Sequence, residues 1–198
     1  MKLQMPYSKR AGPFDRSVNQ VSIGIGEYFV SSQDIVIHTV LGSCVAVCLY
    51  DPDSKIGGMN HILMPYNPDI NKYDASARYG INAMELLINA IMRLGGNRKR
   101  IVAKTFGGAN MLMALDQKNA VGAKNVEFVV NFLGSENIKI LSRDFGGHDS
   151  RKIFFHIATG EVFLKRVPSM KALAAAEQAK RDRIREQLED PGDITLFD

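Results

Sequence analysis

Two cysteines and four histidines are the side chains of this 198-residue chain best suited to nucleophilic attack and proton transfer. Cys44 closes the run His38-Thr39-Val40-Leu41-Gly42-Ser43-Cys44, Cys48 follows four residues later, and His61 ends GGMNH, 17 residues after Cys44. A thiol beside an imidazole is a nucleophile with its base: the ring takes the thiol proton and leaves the thiolate, the reactive form. Backbone N–H groups around Gly42, Ser43 and Cys44 could form an oxyanion hole for a carbonyl attacked by sulfur. Thr39 could donate a hydrogen bond to the histidine or to the substrate. A plainer reading stands beside this one. Two cysteines make a poor zinc site without converging histidines, and a free cysteine in an apolar strand is ordinarily an inert core residue. Cys48 fits that description well. Cys44, the first residue of a strand just after a Gly-Ser turn, fits it less well.

For these groups to meet, Cys44 and His61 must sit on neighbouring strands. Cys44 to Tyr50 (CVAVCLY) is apolar almost throughout, which predicts a strand buried on both faces. Asp51-Pro52-Asp53-Ser54 is turn chemistry, and Ile56 to Met64 resumes an apolar run, so the two segments form a hairpin. A turn centred on Pro52-Asp53 sets Cys44 directly opposite His61, with Cβ atoms about 4.5–5.5 Å apart. Proline at a central position conflicts with the positive φ of two-residue hairpins. A four-residue loop shifts the register by two and makes the pair diagonal neighbours, still within reach.

The remaining elements build an α+β domain around that hairpin. Strands are predicted at Val21–Ile25, Ile35–Val40, Ile101–Phe106, Ile138–Ser142, Lys152–Ala158 and Glu161–Arg166. Asp74 could cap a helix in which Ala77, Ile81, Met84, Ile88 and Ile91 recur at helical spacing, ended by Gly95-Gly96. A second helix runs from about Gly122 to Leu133. From Met170 to Leu188 an Ala-rich, charged segment predicts an exposed helix, with Glu177 and Arg181 as an opposite-charge pair one turn apart. The expected organisation is a flexible arm over 1–20, the domain over 21–167, and a charged helix and tail over 168–198 whose loss the domain should tolerate. Gly24-Ile25-Gly26 starts a dinucleotide-binding pattern but meets Phe29 where the third glycine belongs, so no such site is expected.

Composition sets outer limits. With 45% apolar and 23% charged residues the chain is of ordinary globular type, neither disordered nor disulfide-stapled. No apolar run approaches the ~20 residues that cross a bilayer, and the N-terminus has no apolar signal region, so a cytoplasmic location without membrane insertion is expected. Residues 168–198 hold five basic and seven acidic residues, leaving 20 basic against 14 acidic before them, or +6. That excess suits an acidic partner surface. It does not point to nucleic acid, because no basic stripe is interleaved with aromatics.

The stretch TVLGSCVAVCLYDPDSKIGGMNHILMP resembles the signature region of the CheD family, the chemoreceptor glutamine deamidases of bacterial chemotaxis. IGIGEYFV upstream, then AKTFGGANM, NVEFVVNFL and DFGGHDSRKIFFHIATGEVFLK, resemble further segments of that family in the same order, over about residues 21–167. The resemblance implies packed β-sheets flanked by helices, as in the CheD and cytotoxic-necrotising-factor cysteine hydrolases. It also implies conversion of receptor Gln side chains to Glu with release of ammonia, through a thioester and without a metal or cofactor. Carried over by position, Cys44 is the nucleophile and His61 the general base and acid. The family's third catalytic residue, a Thr shortly before the Cys, falls on Thr39, although the position six before Cys44 is His38. Implied partners are the cytoplasmic domains of methyl-accepting chemoreceptors and the CheC phosphatase. A non-catalytic adaptor binding either of them is the alternative. His148, Asp149 and Arg151 would line the substrate groove or form a structural turn, and His156 would face the core or the solvent.

Overall fold

The structure, a computed structural model, describes residues 18–64, 73–110, 121–167 and 171–189. Most of the expected N-terminal arm and the tail after Glu189 lie outside the described residues, while Asn19 and Gln20 already belong to the first strand. Strands β1 (Asn19–Ser22), β2 (Tyr28–Ser31), β3 (Ile35–Leu41), β4 (Val45–Asp51) and β5 (Ile56–Ile62) come first. Helix α1 (Tyr73–Arg93), strand β6 (Val102–Gly107) and helix α2 (Val121–Ser135) follow. The chain continues through β7 (Lys139–Phe145), β8 (Ser150–His156) and β9 (Glu161–Val167) to helix α3 (Lys171–Glu189). One sheet has the order β1-β3-β8-β9 and the other β2-β5-β4-β6-β7. Within them, β1–β3 and β6–β7 are parallel and the other pairs antiparallel.

Alternation along β4 explains the layering. Val45, Val47 and Leu49 pack with Met84, Leu87, Ile88 and Ile91 of α1 and with Val129 and Leu133 of α2. The intervening Ala46 and Cys48, with Cys44 just ahead of the strand, pack instead with Ile37 and Leu41 of β3 and Ile153 and Phe155 of β8. The five-stranded sheet is therefore the middle of three layers, covered by helices on one side and by the four-stranded sheet on the other. Each fully buried aliphatic side chain in these seams contributes roughly 1.5–3 kcal/mol. That double cover is why CVAVCLY carries almost no polar residue.

Both layer-forming helices are closed by the same device. After α1, Gly96 N–H donates to Ile91 O (3.0 Å) and Gly95 N–H to Met92 O (3.0 Å), with Gly95 at φ 105°. After α2, Ile138 N–H donates to Leu133 O (2.9 Å) and Asn137 N–H to Gly134 O (3.2 Å), with Asn137 at φ 56°. These are Schellman endings, in which a left-handed residue lets the chain turn back onto the last carbonyls. Among the described residues, no helix is long and apolar enough to cross a membrane.

One expectation is decided between its alternatives and one needs correction. The β4–β5 hairpin has Asp51 paired with Ile56, so of the two loops expected it is the four-residue one. The reason is Pro52, whose fixed negative φ is incompatible with a two-residue turn; the positive φ falls on Lys55 at 55°. Strand β2 is absent from the sequence-based expectation, because four residues between a glycine pair and a Ser-rich turn show too little alternation.

Candidate active site

The hairpin register determines what Cys44 can meet. Ala46 pairs with His61 and Val45 with Ile62, so continuing the register sets Cys44 against Leu63 and makes His61 its diagonal neighbour. The period-two pleat turns Cys44, Ala46, His61 and Leu63 to one face, the face that looks into the seam between the sheets. The backbone of His61 is fixed on both sides: its N–H donates to Glu27 O (3.0 Å) and its carbonyl accepts from Gly26 N–H (2.8 Å). Cys44 is fully buried and His61 is 3% exposed.

Thr39 enters the seam from the other sheet. On β3, Ile37, Thr39 and Leu41 share a face, and Ile37 and Leu41 belong to the inter-sheet core. His38 has the opposite parity. It lies on the outer face of its sheet, its ring 5.8 Å from that of Phe154, with its pKa lowered by partial burial and by Lys152. Of the two residues that compete for the third position, the structure brings Thr39 to His61 and turns His38 away.

The hydrogen bonds fix the histidine tautomer. Thr39 Oγ1 lies 2.7 Å from Ile23 O and 2.9 Å from His61 Nδ1. A carbonyl can only accept, so the single Thr39 hydroxyl proton goes to Ile23. Nδ1 must then carry its own hydrogen and donate it to Oγ1. Nε2 is left with the lone pair, and it is buried without a hydrogen-bond partner. An unpartnered buried nitrogen is costly unless something is meant to engage it. Burial pulls the His61 pKa down to about 4, partly offset by Glu177 and Glu27, so the ring is neutral near pH 7.

The loop Gly42-Ser43-Cys44 is gripped by two glycine turns and a helix. Gly108 N–H donates to Cys44 O (2.8 Å) and Ala109 N–H to Gly42 O (2.9 Å). The second turn locks the first, through Gly146 N–H to Gly107 O (3.0 Å) and Asn110 N–H to Gly147 O (2.8 Å). Gly107 has φ 124°, and a Cβ there would stand 2.2 Å from Cys44 O. This close approach is the physical meaning of the similar segments Thr105–Gly108 and Asp144–Gly147. From α2, the buried Asn125 donates Nδ2 to Ser43 O (2.8 Å) and accepts from Met64 N–H (2.9 Å), tying the two ends of the hairpin together.

The backbone donors of that loop are engaged from a direction that sequence reading misses. Gly42 N–H and Ser43 N–H donate to Glu177 of α3 at 3.0 and 2.9 Å, and Ser43 Oγ donates to it at 2.5 Å. Glu177 is 1% exposed, so it is not the surface partner of Arg181 that helical spacing suggests. A signal is present: Leu173, Glu177 and Ile184 fall on one helical face, and an acid inside an apolar stripe asks for a partner. Burial, then the adjacent Glu177, pushes the Cys44 thiol pKa well up.

The other singled-out residues lie away from this cluster or serve the scaffold. Cys48 is buried among apolar groups, which raises its thiol pKa. Arg151 is 1% exposed and braces the second glycine turn, donating to Asp144 Oδ1 (2.6 Å) and to the carbonyls of Asp149 and Gly146. His148 Nδ1 is 3.1 Å from Asn110 O on the surface. His156 lies edge-on to Phe163 on the outer sheet face, ring centroids 5.2 Å apart. Among the described residues, no three His, Cys, Asp or Glu side chains converge on a point that could hold a metal ion.

Comparison with known proteins identifies the family of the chain. A family model described as CheD chemotactic sensory transduction matches residues 63–166. A probable chemoreceptor glutamine deamidase CheD 1 of Shewanella oneidensis is 43% identical over 188 residues, 93% of this chain and 89% of that protein. A protein with the same description from Dechloromonas aromatica is 44% identical over 156 residues, 78% of this chain and 77% of its own length. A probable chemoreceptor glutamine deamidase CheD of Xanthomonas campestris pv. campestris is 48% identical over 160 residues, 80% and 79% of the two chains. The family match begins two residues beyond His61 and the relatives extend it over most of the length, so the chain belongs to the CheD family.

Proposed function

We propose that the chain is a protein-glutamine deamidase that converts Gln side chains of methyl-accepting chemoreceptors to Glu. Cys44 is the nucleophile, His61 the general base and acid, and Thr39 the group that sets the imidazole. The observation that carries this reading is the chain Ile23 O, Thr39 Oγ1, His61 Nδ1, which leaves Nε2 as an unpartnered base on the face shared with Cys44. The relatives' names, chemoreceptor glutamine deamidases, support the same substrate.

The chemistry follows from the groups present. His61 Nε2 takes the Cys44 thiol proton as sulfur attacks Cδ of the substrate Gln, and the amide oxygen becomes an oxyanion held by backbone N–H groups such as those of Gly42 and Ser43. The C–N bond breaks as the imidazolium returns its proton to the departing nitrogen, releasing ammonia and leaving a thioester. His61 then takes a proton from water, hydroxide adds to the thioester carbonyl, and the C–S bond breaks as the imidazolium returns that proton to sulfur, giving Glu and the free Cys44 thiol. Thr39 keeps Nδ1–H engaged throughout, so the same tautomer is ready for both halves.

On this reading the protein works in the cytoplasm, where receptor signalling domains lie, with CheC phosphatase as a further partner. The test is incubation of purified receptor cytoplasmic fragments with the protein and with Cys44→Ala, followed by peptide mass spectrometry. Gln-to-Glu conversion by the first and not the second is expected. No conversion by either, with receptor binding retained, would establish a non-catalytic adaptor instead.

A further inference from the structure

The loop donors assigned to the oxyanion are already filled, and what fills them is chemically specific. Glu is the product of Gln deamidation. The Glu177 carboxylate spans both loop amides, Oε1 on Gly42 N–H and Oε2 on Ser43 N–H, and adds Ser43 Oγ. Its charge also bears on the Cys44 thiol, which it helps to hold in the protonated form. It is presented by a helix, α3, so the loop as it stands receives a side chain from a helical surface.

The way α3 is held suits a removable cover. Its inward stripe of Leu173, Ala174, Glu177, Arg181, Ile184 and Arg185 alternates with exposed positions. No described α3 residue belongs to either hydrophobic core. The carboxylate hydrogen bonds to Gly42 and Ser43 are thus a principal attachment of the helix to the domain. With the helix in place Cys44 is fully buried and no second carbonyl can reach the loop amides.

We propose that α3 is a built-in product mimic: Glu177 occupies the pocket that receives the substrate Gln side chain, α3 lies where the substrate helix docks, and the helix must leave before Cys44 can act on another chain. This rests on the deamidase reading and adds to it the form of the substrate, a helix presenting its Gln, and a closed resting state.

Glu177→Gln, nearly isosteric and so expected to fold, gives the most direct test. It places a substrate amide where the product now sits. Cys44 should attack Cδ of the introduced glutamine, release ammonia, and, with water completing the hydrolysis, restore Glu at this position. Intact-mass and peptide analysis of the full-length variant should find Glu177 regenerated, while Glu177→Gln combined with Cys44→Ala keeps its amide. In parallel, Cys44 alkylation by iodoacetamide, read by peptide mapping under native conditions, should accelerate at least about tenfold in Glu177→Ala. Receptor deamidation by that variant should rise with it. Unchanged alkylation in Glu177→Ala would overturn the proposal, as would an introduced glutamine that persists in a chain able to deamidate receptor fragments. Faster alkylation with no deamidation of any Gln would leave α3 a cover over the thiol and overturn the deamidase reading instead.

Discussion

One hydroxyl decides how the histidine can work. Because Thr39 gives its proton to Ile23 O, His61 has no choice of tautomer, and Thr39→Val should lower kcat roughly 10- to 100-fold, by analogy with other groups that orient an imidazole. Val keeps the shape but leaves Nδ1–H buried and unpaired, a cost of about 1–3 kcal/mol that a flip of the tautomer would relieve, moving the lone pair away from Cys44. Thr39→Ser keeps the acceptor and should retain most activity; steady-state kinetics on receptor fragments would separate the two variants, and equal losses would refute the role. The same burial makes stability depend on pH. The His61 pKa is lowered from 6.5 to about 4, so between those values the unfolded chain binds a proton that the folded chain does not. His61 therefore costs nothing above pH 6.5, and stability should fall by on the order of 3 kcal/mol as pH drops through that window. Chemical denaturation at about pH 7.5 and 4.5, on either side of most of that window, measures this contribution when compared with His61→Asn. A variant with the same pH slope as the parent would show that His61 is not its source.

At the level of elements, the site depends on a loop that tolerates no added atom. Gly107→Ala places a Cβ against Cys44 O at a φ of 124°, so it must push β6 away from the loop or twist it. A loss of about 3 kcal/mol or more in denaturant unfolding is expected, with activity lost even where the variant folds. Gly134→Ala, with open space around it on α2, should be neutral or slightly stabilising and serves as the control. These elements also show what a sequence can and cannot reveal. The doubly buried β4 is legible because a strand covered on both faces must be apolar at every position. Cys44 and His61 are legible because a hairpin brings them close in either register. The register is legible only as two alternatives, which the conflict between Pro52 and a two-residue turn separates. β2 is invisible because pairing with β5, and not the pattern of its own four residues, makes it a strand. Glu177 escapes because local spacing offers Arg181 as its partner, while its true partners are backbone amides 134 and 135 positions away, which no sequence pattern can display.

For the molecule as a whole, the three layers and the C-terminal helix answer to different forces. One hydrophobic core lies between the five-stranded sheet and α1 with α2, the other between the two sheets, and no described residue of α3 enters either. Its attachment includes Ile184, only 5% exposed, and a carboxylate whose charge-assisted hydrogen bonds are each worth about 1.5–3 kcal/mol only while their donors have no competing partner. Water or a substrate is such a partner, so the net hold on the domain is smaller than those bonds suggest. Deleting residues 170–198 should accordingly leave the fold intact, with the melting temperature within a few degrees of the full chain. The seam around Cys48 should stay closed, so native thiol titration should find one accessible cysteine in the truncated protein and none in the parent. The charge changes as well: removing five basic and seven acidic residues takes the remaining chain to +6, which favours association with an acidic partner surface at low salt. A large drop in melting temperature, or exposure of both thiols, would mean that α3 is part of the domain's stability and not a separable layer over its site.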